Sequence, residues 1–185
     1  MADYAYQSHY CEENIWLLLH QRRSESEAAW AVFISNPNHT CALWCQRASP
    51  APDQPVVWDY HVVAIEQSDD GWRIWDLDTR CDVPTGVDEW WRETFPFEKR
   101  VPQTLQPTFR VVERDAFLRS FSSDRSHMRG DDGDWLARPP DWDPIFDPEH
   151  GMNLPGFVEM SADSGLPGEI LGPDEFRERF AVPPH

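Results

Sequence analysis

Three residues of this sequence have the types that nucleophilic attack on a carbonyl carbon requires: a cysteine, a histidine and a carboxylate. Cys11 opens a predicted helix, where unpaired backbone N–H groups and the positive end of the helix dipole lower the pKa of a thiol. Glu12 and Glu13 oppose that effect if they point inward, but helical spacing directs both away from Cys11. A cysteine on the apolar face of a helix is also a common packing residue, so Cys11 alone does not define an active site.

His61 interrupts a strand-like segment, residues 56–66, that is otherwise mostly hydrophobic. By strand alternation the histidine shares one face with Val63 and Ile65. A histidine in such a place either forms a hydrogen bond within the core or belongs to a site. Asp59, two residues before it, is one candidate for the carboxylate that would accompany it.

The next strand-like segment offers two more carboxylates, Asp76 and Asp78, on one face. If the two strands form a hairpin in which Gln67 pairs with Asp70, His61 lies directly opposite Asp76. Opposed side chains are roughly 4.5–5.5 Å apart at Cβ, close enough for a hydrogen bond between imidazole and carboxylate. A slip of two residues would place Asp78 there instead, and the strand pattern leaves these alternatives open. In either case the acid would fix the tautomer of a histidine base, as the third member of a triad does.

The elements that must position these residues are one helix, then consecutive strands, then peripheral helices. Strands are predicted at residues 29–35, 41–47, 56–66, 73–78 and 108–113. Helices are predicted at residues 12–21, 87–95, 115–122 and 173–180, and long loops at residues 125–156. This order predicts an α+β fold with a largely antiparallel sheet and flanking helices. The length of 185 residues predicts one domain, or a tight pair at most. Because the three candidate residues would belong to it, we expect a single catalytic domain, residues 1–185.

The composition argues against several classes of function. The chain has 33 acidic and 16 basic residues, a net charge of −17 and a pI near 4.6. Such a chain has no general electrostatic attraction to nucleic acid or to an anionic membrane surface. No run is long and apolar enough to span a bilayer, and the start, MADYAYQSHYCEENIW, lacks the features of a secretory signal. We therefore expect a cytoplasmic protein whose four cysteines are free thiols.

The spacing of His39, Cys41 and Cys45 suggests a zinc site, because both residue types bind that metal. A structural zinc site needs four ligands, usually as two spaced pairs, and no second pair follows. We therefore predict neither a metal ion nor another cofactor.

Six strings of the sequence carry a resemblance to a known family: HYCEENIWLL, AVFISN, PVVWDYHVV, WDLDT, FRVV and SDRSHM. They resemble, in the same order, the protein N-terminal glutamine amidohydrolases. The match runs from Cys11 through His127, and then more weakly through residues 152–154 to the acidic helix near the end. Residues 130–150 and the short amino terminus depart from the family pattern.

The resemblance implies roles for three residues. The catalytic cysteine of the family falls on Cys11 of CEENIW, its histidine on His61 of WDYHVV and its aspartate on Asp76 of WDLD. A helix-start cysteine followed by a strand histidine and an acid is also the order found in papain-like and transglutaminase-like cysteine enzymes. The resemblance therefore implies a transglutaminase-like or papain-like core, and a monomer.

The resemblance also implies a reaction: deamidation of an amino-terminal glutamine side chain to glutamate, with release of ammonia. The partners would be proteins and peptides that carry a free amino-terminal glutamine. In the family this step feeds the N-degron pathway of protein degradation, in the cytoplasm or, in a eukaryote, also in the nucleus. The thiolate of Cys11 would attack the side-chain amide and form a γ-thioester, which water then hydrolyses.

Two further sets of residues are needed for such a reaction. An anion must receive the substrate's α-ammonium, and Glu13 and Asp124 are the candidates, although each also fits a structural role. The oxyanion needs at least two donors, and the backbone N–H of Cys11 is the natural first. Trp58 or Tyr60 offers a second, although packing in the core explains both residues more simply.

Two other functions fit the same three residues. A peptidase or a transglutaminase would use the same nucleophile and base, and a module that binds peptide termini would keep them without catalysis. The presence of the whole set, Cys11, His61 and Asp76, argues against the binding module.

Overall fold

The computed structural model describes residues 4–26 and 28–182, in which a six-stranded antiparallel sheet lies between two layers of helices. The sheet has the strand order β6-β5-β4-β1-β7-β8, and β2 pairs with β3 in a separate ribbon. The strands are β1 (Ala29–Ser35), β2 (Cys41–Leu43), β3 (Val56–Trp58), β4 (His61–Ser68), β5 (Gly71–Trp75), β6 (Thr85–Gly86), β7 (Thr108–Glu113) and β8 (Glu169–Leu171).

The helices cover both faces of the sheet. They are α1 (Cys11–Gln21), α2 (Val87–Thr94), α3 (Arg114–Ser120), α4 (Leu154–Val158) and α5 (Pro173–Arg179), with 3-10 turns at Gln103–Leu105, Ser126–Met128 and Ala162–Ser164. Helices α1, α3 and α4 pack on one face, whereas α2, α5 and β2 pack on the other. The predicted α+β class and antiparallel sheet are confirmed, and the four predicted helices lie within two residues of their observed bounds.

Strand β1 shows why the sheet is so hydrophobic. Ala31 and Phe33 face the layer that contains α1, whereas Val32 and Ile34 face the opposite layer, and all four are fully buried. A strand that is covered on both sides reads as a continuous apolar run. Each large side chain buried in this way stabilises the fold by roughly 1.5–3 kcal/mol.

The predicted strand at residues 56–66 is wrong in one respect, because it is two strands. The break lies at Asp59 and Tyr60, where the Asp59 carboxylate accepts a hydrogen bond from the Tyr60 N–H (2.9 Å). The Asp59 carbonyl also accepts one from the hydroxyl of Ser35 (2.6 Å). The chain therefore leaves the β2–β3 ribbon and enters the main sheet at this point, so that His61 is the first residue of β4.

The predicted register of β4 and β5 is also wrong, by two residues. Ser68 pairs with Gly71, where we expected Gln67 to pair with Asp70. Gly71 has φ of +116°, a conformation that residues with side chains rarely adopt, and this places the two-residue turn immediately before the glycine. The same faces stay together, because a two-residue slip preserves strand alternation.

Short or strained segments account for the remaining differences. The predicted strand 41–47 ends at Leu43, and Cys45 has φ of +54°, which interrupts extended backbone. Helix α4 and the short strands β6 and β8 were not predicted. Within the described ranges, no helix is long and apolar enough to cross a membrane.

Candidate active site

Cys11 is the first residue of α1, and the neighbouring sequence fixes that position. The side-chain amide of Asn14 donates to the carbonyl of Gln7 (2.8 Å), and its oxygen accepts from the N–H of the same residue (2.9 Å). Farther along the helix, Ile15 and Leu18 are buried against the sheet. The apolar face predicted from the sequence is therefore confirmed, and it holds the partly buried Cys11 at the helix start.

His61 and Asp76 form a buried pair beside Cys11 in the fold. Nε2 of His61 lies 2.9 Å from Oδ1 of Asp76, and both residues are buried. The Asp76 carboxylate also accepts hydrogen bonds from the side-chain amide of Gln46 (3.0 Å), the indole of Trp90 (3.0 Å) and the backbone N–H of Asp78 (3.1 Å). These donors come from three separate segments, so the carboxylate is held in one orientation.

The route by which Asp76 reaches His61 differs from the predicted one. Strand β5 ends at Trp75, so Asp76 lies beyond the ladder. The observed register, continued, would place Asp78 opposite His61, yet the Asp76 carboxylate is the one that bonds the imidazole. Asp59, the third candidate, is exposed and bonds its own neighbour.

The pair favours an ionised carboxylate next to a readily protonated imidazole. Burial alone lowers the pKa of His61, but the charge of Asp76 and the hydrogen bond to it outweigh burial, so the net shift is upward. Burial raises the pKa of Asp76, whereas the charge of His61 and the bonds from His61, Trp90 and Gln46 bring it down to about 2. Since Nε2 of His61 is engaged, Nδ1 is the ring nitrogen left to exchange a proton with a substrate or a thiol.

The expectation of a lowered thiol pKa at Cys11 is wrong. Burial raises this pKa well above its usual value, and the charges of Glu12 and Asp78 add to the effect. Glu12 points inward because the hydroxyl of Tyr60 donates to its Oε2 (3.1 Å), and the same oxygen lies 3.6 Å from Sγ of Cys11. The resting thiol is therefore protonated, and attack requires a base that removes its proton.

Cys11 and His61 both line one cavity of about 440 Å³. The ring of Trp58 stacks on the ring of His61, with centroids 5.9 Å apart and planes 16° apart. The indole N–H of Trp58 is buried without a hydrogen-bond partner in the part of the chain that the structure describes. Other walls of the cavity come from Tyr60, Asp78, His127, Met128, Leu154 and Pro155.

The two residues predicted to receive an α-ammonium do not line this cavity. Glu13 is fully buried, and its carboxylate accepts two bonds from Arg125 (2.8 and 2.7 Å) and one from the indole of Trp142 (2.7 Å). Asp124 is exposed, and its carboxylate accepts from the backbone N–H of Ser126 (2.8 Å). The substrate-binding role of Glu13 and Asp124 stays a prediction that this geometry does not favour.

Sequence reasoning missed the residues that orient Asp76 and the inward position of Glu12. Gln46 lies in a segment predicted as a strand, and Trp90 lies in a helix whose aromatic residues predict core packing. No pattern in either segment indicates a bond to a distant aspartate. For Glu12 the sequence did indicate a position close to the thiol, since it follows Cys11 directly within the string CEENIW.

The cysteines outside the cavity are free thiols, as expected. Cys41 is buried, and the sulfur of Cys45 lies 3.7 Å from that of Cys81, for which the sequence indicated no neighbour. His39 lines the cavity. Among the described residues, no three His, Cys, Asp or Glu side chains are placed to hold a metal ion together.

Comparison with known proteins gives matches along almost the whole chain. Residues 6–180 match the family model described as N-terminal glutamine amidase. The chain is 40% identical to the protein N-terminal glutamine amidohydrolase of Drosophila ananassae, and 39% identical to the protein of that name from Drosophila melanogaster. Each alignment covers 190 residues, 100% of this chain and 92% of the relative.

Proposed function

The chain belongs to the N-terminal glutamine amidase family, and on this basis we propose that it deamidates amino-terminal glutamine with Cys11 as the nucleophile. The observation that carries the proposal is that one cavity is lined by both the Cys11 thiol and a histidine whose other nitrogen is held by Asp76. This is the arrangement of nucleophile, base and orienting acid that acyl transfer requires.

In the first half of the reaction, Nδ1 of His61 accepts the proton of the Cys11 thiol. The sulfur then attacks the side-chain amide carbon of the substrate glutamine and forms a tetrahedral oxyanion. When the C–N bond breaks, the imidazolium of His61 returns its proton to the nitrogen, which leaves as ammonia. The product on the enzyme is a γ-thioester between Cys11 and the substrate side chain.

In the second half, His61 takes a proton from a water molecule, and the resulting hydroxide attacks the thioester carbonyl. The C–S bond then breaks, the Cys11 sulfur regains a proton from His61, and the substrate leaves with an amino-terminal glutamate. The sum of the two halves consumes one water and releases one ammonia, so the balance needs no further reactant.

The oxyanion of both halves needs hydrogen-bond donors that are in place before the reaction. The backbone N–H of Cys11 lies at the start of α1, where helical N–H groups make no intrahelical bond. For the second donor we favour Trp58 over Tyr60. The Tyr60 hydroxyl already donates to Glu12, whereas the buried indole N–H of Trp58 has no partner among the described residues and belongs to a ring stacked on His61.

The proposal extends to partners and place of action. The substrates are proteins and peptides with a free amino-terminal glutamine. The enzyme acts on them as a monomer, since one chain supplies both the Cys11 thiol and the His61–Asp76 pair. We place this activity in the cytoplasm, and also in the nucleus if the source is a eukaryote. The product, an amino-terminal glutamate, would then enter the N-degron pathway.

The test measures three products from one glutamine-terminated peptide: ammonia, cleaved peptide and peptide joined to an added primary amine. The proposal predicts ammonia in an amount equal to the peptide converted, with neither cleavage nor amine incorporation. Cleavage would indicate a peptidase and incorporation a transglutaminase. A folded protein that yields none of these products would support a module that binds without catalysis.

A further inference from the structure

Glu12 is a buried carboxylate that the reaction described above does not use. Its side chain is fully buried, and Oε2 accepts a hydrogen bond from the Tyr60 hydroxyl (3.1 Å) and lies 3.6 Å from the Cys11 sulfur. Its other oxygen, Oε1, has no hydrogen-bond partner among residues 4–26 and 28–182. The nearest basic group is Nε2 of His127, at 3.6 Å, which is too far for a good hydrogen bond.

An incompletely paired buried carboxylate is costly, and a cation that binds next to it removes that cost. The next residue on the helix shows the contrast, because Glu13 is equally buried but is fully paired with Arg125 and Trp142. Oε1 of Glu12 can therefore accept a further hydrogen bond. Glu12 does not itself line the cavity, but its carboxylate lies directly behind two residues that do, Cys11 and His127.

We propose that Glu12 receives the substrate's α-ammonium and thereby restricts the reaction to glutamine at a free amino terminus, an inference that rests on the proposed function. In a glutamine residue, four bonds separate the side-chain amide carbon from the α-nitrogen, a distance of about 4–5 Å. Since Oε2 of Glu12 is 3.6 Å from Sγ of Cys11, a substrate whose amide carbon contacts that sulfur brings its ammonium within reach of Oε1.

The ammonium reaches Oε1 from the side of His127. This histidine lines the cavity, its side chain is 20% exposed, and its Nε2 faces Oε1. Because Glu12 is fully buried behind this ring, the proposal requires that His127 rotates when the ammonium binds. The hydroxyl oxygen of Tyr60, which bonds Oε2 of Glu12, is then also available to accept from the ammonium.

Two other carboxylates, those of Asp59 and Asp78, line the cavity itself. Asp59 is exposed to solvent, so the closer rival is Asp78. Its Oδ1 already accepts a short hydrogen bond from the hydroxyl of Tyr6 (2.5 Å), and the residue is partly exposed, so water can solvate the remainder of the carboxylate. A solvated carboxylate gains little from an added cation, whereas a buried one gains much more. The structure thus favours Glu12 as the specificity-determining anion.

The experiment compares two peptides that differ only in the α-amine: one begins with glutamine, and the other with its des-amino analogue, a 4-carbamoylbutanoyl group. For the wild type, kcat/KM is expected to be roughly 10–100-fold higher for the glutamine peptide. In Glu12→Gln this ratio collapses toward one, because the rate on the glutamine peptide falls and the rate on the analogue holds or rises. In Glu12→Asp, which keeps the charge, the ratio should lie between one and the wild-type value.

Glu93→Gln is the matched control, since it removes the same charge from an exposed position on α2, and it should leave both rates unchanged. An equal fall on both peptides in Glu12→Gln would overturn the proposal and give Glu12 a role in the chemistry instead. Loss of the ratio in Asp78→Asn, with the ratio intact in Glu12→Gln, would also overturn it. A wild type that releases no ammonia from the glutamine peptide would refute the proposed function itself.

Discussion

The immediate neighbours of the proposed nucleophile, base and acid determine their protonation and orientation. In the proposed mechanism Asp76 acts through His61, because its carboxylate holds the imidazole by a 2.9 Å bond and does not itself line the cavity. A residue that orients a base in this way determines which tautomer faces the nucleophile.

Asp76→Asn is therefore expected to lower kcat by roughly 10³–10⁴-fold while KM changes little, since an amide stabilises the wrong imidazole tautomer. Steady-state kinetics on a glutamine-terminated peptide measures both quantities. Asp82→Asn, an exposed loss of the same charge, is the control and should match the wild type. An Asp76→Asn enzyme of near-normal kcat would remove Asp76 from the triad.

Trp58→Phe tests the second oxyanion donor. Phenylalanine keeps an aromatic ring beside His61 but removes the indole N–H, so we expect kcat to fall roughly 10²–10³-fold with KM nearly unchanged. Tyr60→Phe serves as the comparison, because its hydroxyl bonds Glu12. The assignment fails if Tyr60→Phe lowers kcat by this amount and Trp58→Phe does not.

The His61–Asp76 pair also predicts a dependence of stability on pH. Because the pKa of His61 is raised above 6.5 in the fold, its contribution is complete below that value and is lost as pH rises through the folded pKa. Because the pKa of Asp76 is lowered from 3.8 to about 2, its contribution is present above 3.8 and is lost as pH falls toward the folded value.

The wild type should therefore be more stable than His61→Gln, and the difference in their free energies of unfolding should be larger at about pH 5 than at about pH 9. Urea denaturation of both proteins at the two pH values measures this difference, and the subtraction cancels the titration of unrelated groups. An unchanged difference would mean that the imidazolium is not stabilised by Asp76 in the folded protein.

The sequence alone indicated the three residues that we propose as the triad, but not all of their surroundings. Cys11 at a helix start and His61 in an apolar strand are local patterns, and the family resemblance selected Asp76. The inward turn of Glu12 depends on the Tyr60 hydroxyl, which lies 48 positions away in the chain. Contacts at that sequence distance leave no periodic signal, which is why the raised pKa of Cys11 was not predicted.

At the scale of elements, the strands with strong alternation or long apolar runs were predictable. The bounds of β1 and β7 agree with the prediction, because packing on both faces leaves an unmistakable hydrophobic pattern. The register of β4 on β5 was not predictable, since it depends on which of several adjacent turn residues adopts positive φ, and Gly71 does so. Helix α4 has five residues and includes Pro155 and Gly156, too short and too weak a helix former to give a periodic signal.

The buried bond network of Glu13 fastens α1 to the irregular segment that follows α3. Arg125 has φ of +64° and donates both to the Glu13 carboxylate and to the backbone carbonyl of Trp142 (2.9 Å). This network joins the helix that begins at Cys11 to the loops beside the cavity. It gives a structural role to an acid that the sequence also suggested as a substrate-binding group.

Glu13→Gln is expected to reduce the free energy of unfolding by roughly 3–5 kcal/mol, because it leaves the Arg125 guanidinium buried without its counter-charge. Urea denaturation measures the loss. The folded fraction should keep the wild-type preference for a free amino terminus. A stable Glu13→Gln protein that lost this preference would return the α-ammonium site to Glu13.

At the scale of the whole molecule, composition and element order were sufficient to predict the α+β class but not the active centre. The site is built where the start of α1, the break between β3 and β4 and the end of β5 meet. Each of these three junctions lies where a helix or strand begins or ends, and not within regular secondary structure. The layers of helices on both faces of the sheet hold the junctions in place by burying the apolar side of every helix that carries a site residue.

The molecule as a whole is strongly acidic. Its net charge is −17. One of the acidic residues, Glu12, is buried next to the Cys11 thiol. We attribute the surface charge chiefly to solubility, because the selection of a cationic amino terminus is assigned here to a single buried carboxylate, Glu12.

The most direct test of the account is the mass of a glutamine-terminated peptide after incubation with the wild type or with Cys11→Ser. The same peptide with an acetylated amino terminus serves as the matched substrate control. The free peptide alone should gain about one dalton with the wild type, and neither peptide should change with the variant. Conversion by Cys11→Ser at the wild-type rate would contradict the assigned nucleophile, and equal conversion of both peptides would contradict the requirement for a free amino terminus.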